Sequence, residues 1–372
     1  MQTSAQPGQP VGEPPLALPP RLARLIRSDV QSMHAYAVQD ATGMVKLDAM
    51  ENPHGLPHAL QAELGRRLGA LALNRYPGPR TEALKSALAA HAQLPDGCAL
   101  MLGNGSDELI SLIAMACDVP GATILAPQPG FVMYGLSAQL QGLRFVGVDL
   151  TPDFELDEAA MLAAIARHQP AIIYLAYPNN PTANLWDDAV IERIVEAAPG
   201  LVVIDEAYQP FSSRSYLDRL PRHAHVLLMR TMSKFGLAGV RIGYLMGVRA
   251  LVAEIDKVRP PYNVSVLNAE AALFALEHAP VYAAQAAQLR EERTRLLQRL
   301  AQLPGVQVWP SDANMVLVRV PNARAAFEGM RRLGVLVKNV SAMHPLLANC
   351  LRLTVGTAEE NARMLSALQA SL

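Results

Sequence analysis

The chain has little cysteine and almost no net charge. Its three cysteines, Cys98, Cys117 and Cys350, are scattered along 372 residues without the spacing of a metal site. An odd number of isolated cysteines in a large chain fits a reduced, cytoplasmic protein better than a disulfide scaffold. A formal net charge of −1 gives no electrostatic reason to bind nucleic acid or an anionic membrane. We therefore expect no nucleic-acid partner, no membrane partner, no metal and a cytoplasmic location.

The chain also lacks several segments that would define its class. No apolar run approaches the ~20 residues that a membrane helix requires. The N-terminus has neither the basic start nor the apolar core of a signal peptide. The loop Gly-x-x-x-x-Gly-Lys-Ser/Thr is absent, and no Gly-x-Gly-x-x-Gly turn follows a predicted strand. These absences argue against a nucleotide site of either kind.

Short apolar runs alternate with helical stretches between about residues 80 and 250. Strands that are apolar at every position and alternate with helices predict an α/β sandwich with a mostly parallel sheet. The predicted strands are 99–102, 123–126, 145–148, 171–176, 201–204, 225–229 and 242–246, and the predicted helices include 107–116, 156–167 and 188–197.

The pattern changes after Pro260 and Pro261. One or two long helices are predicted over 264–303, a length that differs from the short helices before it. They are followed by strands 306–309, 315–320 and 351–355, with a helix at 323–333. A chain of this length exceeds one hydrophobic core, so we predict a second, smaller α+β domain.

A single lysine, Lys234, lies among small and hydroxyl residues directly after a predicted strand. Burial lowers the proton affinity of a lysine and makes its amine a nucleophile that can form a Schiff base. Thr231, Ser233 and Arg241 can donate hydrogen bonds and charge to a phosphate group. This combination suggests pyridoxal 5′-phosphate, although a lone lysine is more often a solvated surface residue.

Polar or aromatic side chains follow four other predicted strands, where ligands bind in open α/β sheets. Ser106 and Asp107 open a helix whose free N–H groups would face an anion. Phe131 offers a face for stacking, Asn180 lies in a proline-rich turn, and Asp205 ends a buried strand. Each has an ordinary structural explanation as a cap, packing or turn residue. Together with Lys234, they supply a Schiff-base lysine, donors for a phosphate, an aromatic face for stacking and a carboxylate partner for a pyridinium nitrogen.

In their order along the chain, these motifs resemble those of the fold-type-I pyridoxal-phosphate enzymes, and within them the histidinol-phosphate aminotransferase family. The similarity runs through Glu51-Asn-Pro53, Asn74-Arg-Tyr-Pro77, Gly105-Ser-Asp-Glu108, Asn179-Asn-Pro-Thr182, Asp205-Glu-Ala-Tyr208, Thr231 to Tyr244 and 351–357.

The resemblance implies a transaminase that converts histidinol phosphate and 2-oxoglutarate into imidazole acetol phosphate and glutamate, in histidine biosynthesis. Lys234 would bind the cofactor and transfer the proton. The implied cofactor-binding residues are Tyr76, Ser106, Asp107, Phe131, Asn180, Asp205, Tyr208, Thr231, Ser233 and Arg241. The implied substrate-binding residues are Tyr36, Asn52, Lys338 and Arg352. Tyr76 would come from the neighbouring subunit, which implies a homodimer with shared active sites.

The resemblance also implies the domain organisation. We expect a mobile proline-rich tail over 1–20 and an N-terminal arm over 21–55 that contributes to the small domain and to dimer contacts. The large cofactor-binding domain would span 56–262, and the C-terminal small domain 263–372.

Four departures from the family pattern bear on these expectations. Ala183 stands where glycine is usual, so the backbone there is expected to differ slightly, and Met50 stands where asparagine is frequent. Lys338 replaces an arginine, which keeps the charge but loses the bidentate fork. Arg241 follows Lys234 by seven positions, one fewer than in many relatives.

Three alternatives remain open. Two are enzymes on the same scaffold, an aromatic aminotransferase and a threonine-phosphate decarboxylase-like lyase. The third is a cofactor-binding regulatory domain, which would need a basic helix-turn-helix segment that the short proline-rich N-terminus does not offer.

Overall fold

The computed structural model describes residues 18–33 and 39–372. Chain contacts divide them into an N-terminal unit that ends at Met44 and a large unit from Val45 to Leu372. The described part of the N-terminal unit contains helices α1 (Pro20–Ala23) and α2 (Ser28–Gln31). Tyr36 and most of the predicted tail lie outside the described residues.

The large unit contains the remaining strands and helices. Its strands are β1 (Val45–Lys46), β2 (Cys98–Gly103), β3 (Thr123–Gln128), β4 (Arg144–Asp149), β5 (Ile172–Ala176), β6 (Leu201–Asp205), β7 (Val226–Thr231), β8 (Gly243–Val248), β9 (Gln307–Val308), β10 (Met315–Arg319), β11 (Val335–Leu336), β12 (Lys338–Asn339) and β13 (Cys350–Thr354). Its helices are α3 (His58–Gly69), α4 (Pro79–Ala92), α5 (Ser106–Ala116), α6 (Val132–Gln141), α7 (Glu158–His168), α8 (Asp188–Ala197), α9 (Arg249–Asp256), α10 (Val266–Glu277), α11 (Ala279–Leu300), α12 (Ala323–Arg332) and α13 (Ala358–Gln369).

The main sheet of the described chain has seven strands in the order β2-β8-β7-β6-β5-β3-β4. β8 runs antiparallel to both neighbours, and the other pairs are parallel. β5 and β7 are buried at every position, and β6 at all but its first. Strands covered on both faces need apolar side chains throughout, which explains their uninterrupted apolar runs. The predicted α/β fold class is confirmed.

Helices cover both faces of this sheet. α4, α7 and α8 pack on one set of strand side chains, which includes Leu100 and Val202. α5, α6 and α9 pack on the alternate set, which includes Met101 and Val203. Sequence neighbours fall in different clusters because successive strand side chains point to opposite faces. The layers place the carboxyl ends of β5, β6 and β7 along one edge of the sheet.

A second sheet is antiparallel, in the order β12-β13-β10-β9, and β1 pairs with β11 in parallel. The strands predicted over 315–320 and 351–355 correspond to β10 and β13. The helical region predicted over 264–303 consists of α10 and α11, which meet at His278, with Pro280 in the first turn of α11. Within the described residues, no helix has the length and apolar composition needed to cross a membrane.

The two tryptophans of the sequence meet at Phe154. The indole N–H of Trp186 donates to the Phe154 carbonyl oxygen at 3.0 Å. The ring of Trp309, which follows β9, packs edge-on against the Phe154 ring with centroids 5.0 Å apart. Phe154 thereby connects a loop of the main-sheet region to the second sheet.

Candidate functional site

A cavity of about 350 Å³ lies at the carboxyl ends of β5, β6 and β7, whose residues Ala176, Asp205 and Thr231 line it. Local sequence and topology thus bring the chemically unusual side chains to one edge of the sheet. The predicted site residues that line this cavity are Ser106, Asp107, Phe131, Asn180, Asp205, Tyr208, Thr231, Ser233, Lys234 and Arg241.

Lys234 follows β7 in the turn Ser233–Leu237, whose backbone departs from helical angles at Gly236. Gly236 has φ +133°, and a Cβ there would lie 2.8 Å from Cδ1 of Tyr282, so this turn requires glycine. The Lys234 Nζ donates to the carbonyl oxygen of Ala49 at 2.9 Å. Burial, helped by the charge of Arg352, lowers the pKa of Lys234 to about 7. A large fraction of this amine is therefore neutral, and nucleophilic, at neutral pH.

Asp205 is the buried carboxyl of the cavity. The Tyr134 hydroxyl donates to its Oδ2 at 2.8 Å, and the Ala207 backbone N–H donates to its Oδ1 at 3.0 Å. Burial raises the pKa of Asp205 to about 6, although these two hydrogen bonds act in the opposite direction. The Tyr134 ring stacks on Tyr174 with centroids 4.4 Å apart, which fixes the hydroxyl that orients Asp205.

An anion-binding region lies where α5 begins. No side chain caps this helix, so the N–H groups of its first turn, at Ser106 and Asp107, remain available to a ligand. The guanidinium of Arg241 lies against Gly105, where a Cβ would be 2.7 Å from Nη2, and it is 3.6 Å from Asp107. Backbone N–H groups beside a guanidinium form a site that suits a phosphate group.

Two hydroxyl groups complete this region. Thr231 Oγ1 lies 3.1 Å from Ser233 Oγ and accepts a hydrogen bond from the Ser233 backbone N–H at 3.1 Å. Both residues are buried apart from the surface that they present to the cavity. They line the same cavity as the start of α5.

The walls of the cavity are aromatic and amide groups. Phe131 precedes α6, and its ring meets Tyr134 edge-on at 5.6 Å. Asn180 is buried in a turn with cis peptide bonds before Pro178 and before Pro181. Tyr208 is also buried, and burial raises the pKa of its hydroxyl well above the usual value. A planar ring can therefore be held between an aromatic face and polar groups.

Arg352 contacts the cavity through Asn180. Its Nη1 donates to Asn180 Oδ1 at 2.8 Å, and its Nη2 donates to the Asp48 carbonyl oxygen at 2.7 Å. Lys338 pairs with Arg352 in register between β12 and β13, and burial together with the Arg352 charge lowers the pKa of Lys338. Lys338 is outside the cavity lining.

The remaining predicted residues lie elsewhere. Asn52 donates to Gln285 Oε1 at 2.9 Å and is outside the lining. Tyr76 is 77% exposed, and its ring stacks on Tyr262 with centroids 4.3 Å apart. Tyr36 is outside the described residues. Their roles stay predictions.

The cavity lining also includes residues that the sequence analysis did not assign to the site, among them Tyr134 and Met50. Tyr134 follows Phe131 by three positions, a spacing that puts both on one helix face and could have indicated it. Met50 has φ +52° and packs against Ala183 and Tyr208. Ala183 has φ +66°, the left-handed conformation that glycine adopts most easily.

A buried ion pair lies directly behind the cavity. Arg230 Nη2 is 2.8 Å from Glu206 Oε2, and the two side chains are 7% and 0% exposed. The backbone N–H of Tyr216 and the hydroxyl of Ser215 donate to the same carboxylate at 2.6 and 3.1 Å. Glu206 is therefore fully satisfied in a place that water does not reach.

The raised pKa of Asp205 makes a prediction for the cofactor-free protein. Below the ordinary pKa of 3.8, Asp205 is protonated in the folded and the unfolded protein and does not reduce the free energy of unfolding. As pH rises through about 6, the buried group ionises and the free energy of unfolding falls. Asp205→Asn removes the buried charge, so we expect a gain of up to about 3 kcal/mol in unfolding free energy at about pH 7.5, which vanishes near pH 4. Urea unfolding at both pH values measures it.

The exposed Asp153 provides a matched control, because Asp153→Asn removes a charge that water already solvates. This control should show no such dependence on pH. A lower stability of Asp205→Asn at pH 7.5 would contradict the burial argument.

Comparison with known proteins identifies the family to which this chain belongs. The model for aminotransferases of class I and II matches residues 42–368. The histidinol-phosphate aminotransferase of Methylibium petroleiphilum is 75% identical over 97% of this chain and 98% of its own length, and that of Polaromonas naphthalenivorans is 71% identical over 96% and 99%. The solved structure of histidinol-phosphate aminotransferase from Sinorhizobium meliloti in complex with pyridoxal-5'-phosphate has a TM-score of 0.81 and 25% identity, covering 92% of this chain and 96% of that one. The chain belongs to the family of class I and II aminotransferases.

Proposed function

We propose that this chain is a pyridoxal-phosphate-dependent aminotransferase that converts histidinol phosphate and 2-oxoglutarate into imidazole acetol phosphate and glutamate, in the cytoplasm. The observation that carries the proposal is one cavity that holds the Lys234 amine, the buried Asp205 carboxyl and the phosphate donors at α5. The names of relatives that are 71% and 75% identical support the substrate.

The residues present fit the cofactor. A buried carboxyl with a raised pKa is stabilised when a cation faces it, and a protonated ring nitrogen is such a cation. The uncapped start of α5, Thr231, Ser233 and Arg241 suit its phosphate, and Phe131 suits its ring. When bound, pyridoxal phosphate would supply an electron sink for the negative charge that develops on the substrate α-carbon.

Two residues would perform the remaining steps. Lys234 would move the proton from the substrate α-carbon, because an amine with a pKa of about 7 is efficient both as a base and as an acid near neutral pH. Asp205, oriented by Tyr134 and the Ala207 N–H, would keep the proton on the ring nitrogen. Asn180 and Tyr208, which also line the cavity, would hold the ring hydroxyl.

The anionic ends of the substrates would meet Arg352. Its guanidinium is held by Asn180 and by the Asp48 carbonyl, beside the cavity. Glutamate and histidinol phosphate must use the same pocket in successive half-reactions, so one cation would serve both. Lys338, its neighbour in register, would contribute charge to the phosphate substrate alone.

The first prediction concerns the attachment of the cofactor. Purified protein should be yellow, and borohydride should fix the cofactor permanently to the Lys234 peptide, as mass spectrometry can measure. Lys234→Ala should give no adduct and lose at least about 100-fold in kcat, since the proton acceptor is gone. Lys257→Ala, at an exposed lysine, is the matched control and should behave as wild type. An adduct on another lysine would overturn the assignment.

The second prediction concerns substrate recognition. Arg352→Ala should lower kcat/KM about tenfold or more for both histidinol phosphate and glutamate, because charge-assisted hydrogen bonds are lost. Lys338→Ala should affect histidinol phosphate more than glutamate, while Arg331→Ala, at an exposed position, should affect neither. Half-reaction rates from the cofactor spectrum measure these effects. Faster reaction of the wild type with phenylalanine or tyrosine would favour an aromatic aminotransferase, and release of carbon dioxide from threonine phosphate a lyase.

The third prediction concerns a shared active site in a homodimer. Tyr76 is 77% exposed, and we propose that it reaches the phosphate of a second copy. Tyr76→Ala and Lys234→Ala should each be inactive alone. After subunit exchange, heterodimers should contain one intact site, so the equimolar mixture should recover about a quarter of wild-type activity. A mixture no more active than its two components would show that each chain builds its own site.

A further inference from the structure

The Lys234 amine donates a hydrogen bond to a backbone carbonyl. Nζ donates to the Ala49 oxygen at 2.9 Å, in the irregular segment between β1 and α3. The Tyr208 ring lies 5.9 Å from the same nitrogen. A carbonyl oxygen can accept from the amine in either protonation state, and it accepts more strongly from the ammonium form.

The Ala49 carbonyl is aimed by an unusual backbone conformation. The next residue, Met50, has φ +52°, a left-handed angle that costs a residue with a β-carbon roughly 1–2 kcal/mol. Such an angle persists where the surroundings hold it. The Met50 side chain is buried in a cluster with Ala183, Tyr208 and Met315, which anchors one side of the turn.

Two polar residues of the second-sheet region hold the backbone of the same turn. Thr354 Oγ1 accepts from the Met50 N–H at 3.1 Å, and Asn314 Nδ2 donates to the Met50 carbonyl at 3.0 Å. Thr354 and Asn314 are 2% and 1% exposed, so water does not compete for these bonds. The Thr354 N–H also donates to the Leu47 carbonyl at 3.1 Å.

We propose that Thr354 and Asn314 are positioning residues that hold the Ala49 carbonyl as the resting acceptor for the Lys234 amine whenever this lysine is not bonded to cofactor. The second sheet would in this way set the position and proton affinity of the amine on the first. The inference rests on the proposed role of Lys234.

The charged groups around the amine come from several elements. Arg352 on β13, Lys46 on β1 and Arg241 after β7 lower its pKa, and Glu51 raises it. Thr354 and Asn314 carry no charge, so changing them alters the position of the acceptor and leaves these charges in place. A change in the titration of Lys234 therefore reports a change in the position of the Ala49 carbonyl.

The experiment measures the titration of Lys234 in full-length protein freed of cofactor. Competitive labelling with acetic anhydride across pH, quantified by mass spectrometry on the peptide that contains Lys234, gives the midpoint of its reactivity. In Thr354→Val and in Asn314→Ala, we expect the midpoint to fall by about 0.5 to 1 pH unit, because the ammonium form loses a well-placed acceptor. Thr354→Ser keeps the hydroxyl and should restore the wild-type midpoint.

Thr123→Val is the matched control, since Thr123 is equally buried, on β3. It should change the melting temperature without moving the midpoint. The proposal is overturned if Thr354→Val and Asn314→Ala, folded by circular dichroism, keep the wild-type midpoint, or if Thr354→Ser shifts as far as Thr354→Val. Mapping the borohydride-reduced cofactor adduct separates the two proposals. If the adduct is on Lys234 and the midpoint of Lys234 reactivity is unchanged in the variants, only this inference is rejected. If the adduct is on another lysine, the proposed function is rejected.

Discussion

The buried ion pair between Glu206 and Arg230 ties together two of the three strand ends on which the cavity is built. Glu206 directly follows Asp205 at the end of β6, and Arg230 directly precedes Thr231 at the end of β7. Separating the pair would leave an uncompensated charge in the interior, at a typical cost of 3–5 kcal/mol. The ion pair therefore fixes the Asp205 carboxyl and the Thr231 hydroxyl relative to each other, although neither group takes part in it. Rigid strands, rather than loops, therefore determine the geometry of this part of the site.

The opposite wall has a different origin. It comes from the segment around Met50, from the turn that contains Asn180, and from Arg352 on the second sheet, and these parts are held by hydrogen bonds between residues far apart in sequence. The first wall comes from the ends of main-sheet strands, whereas the second also includes the segment around Met50 and contacts from the second sheet. Chemistry that needs both walls requires the complete fold of the large unit.

The residues of the first wall could be predicted from the sequence, because a local sequence pattern marks them. Asp205, Thr231 and Lys234 follow uninterrupted apolar runs, and an α/β sheet places such residues at one edge. Asn180 and Arg352 of the other wall were also predicted, whereas the Ala49 carbonyl and Met50 escaped prediction for physical reasons. The Ala49 carbonyl is a backbone group without a sequence signature, and Met50 has the composition of an ordinary core residue. Strands β1, β11 and β12 have two residues each, too few to show a period.

The convergence of both tryptophans on Phe154 gives the chain a spectroscopic property. Trp186 is bonded to the Phe154 backbone and Trp309 packs on its ring, so one indole reports from the main-sheet region and the other from the second sheet. The guanidinium of Arg319 also lies 5.0 Å above the Trp309 ring. Because the sequence has two tryptophans, its intrinsic emission arises almost entirely at this junction. Fluorescence of the unlabelled protein therefore records how the second sheet sits on the first.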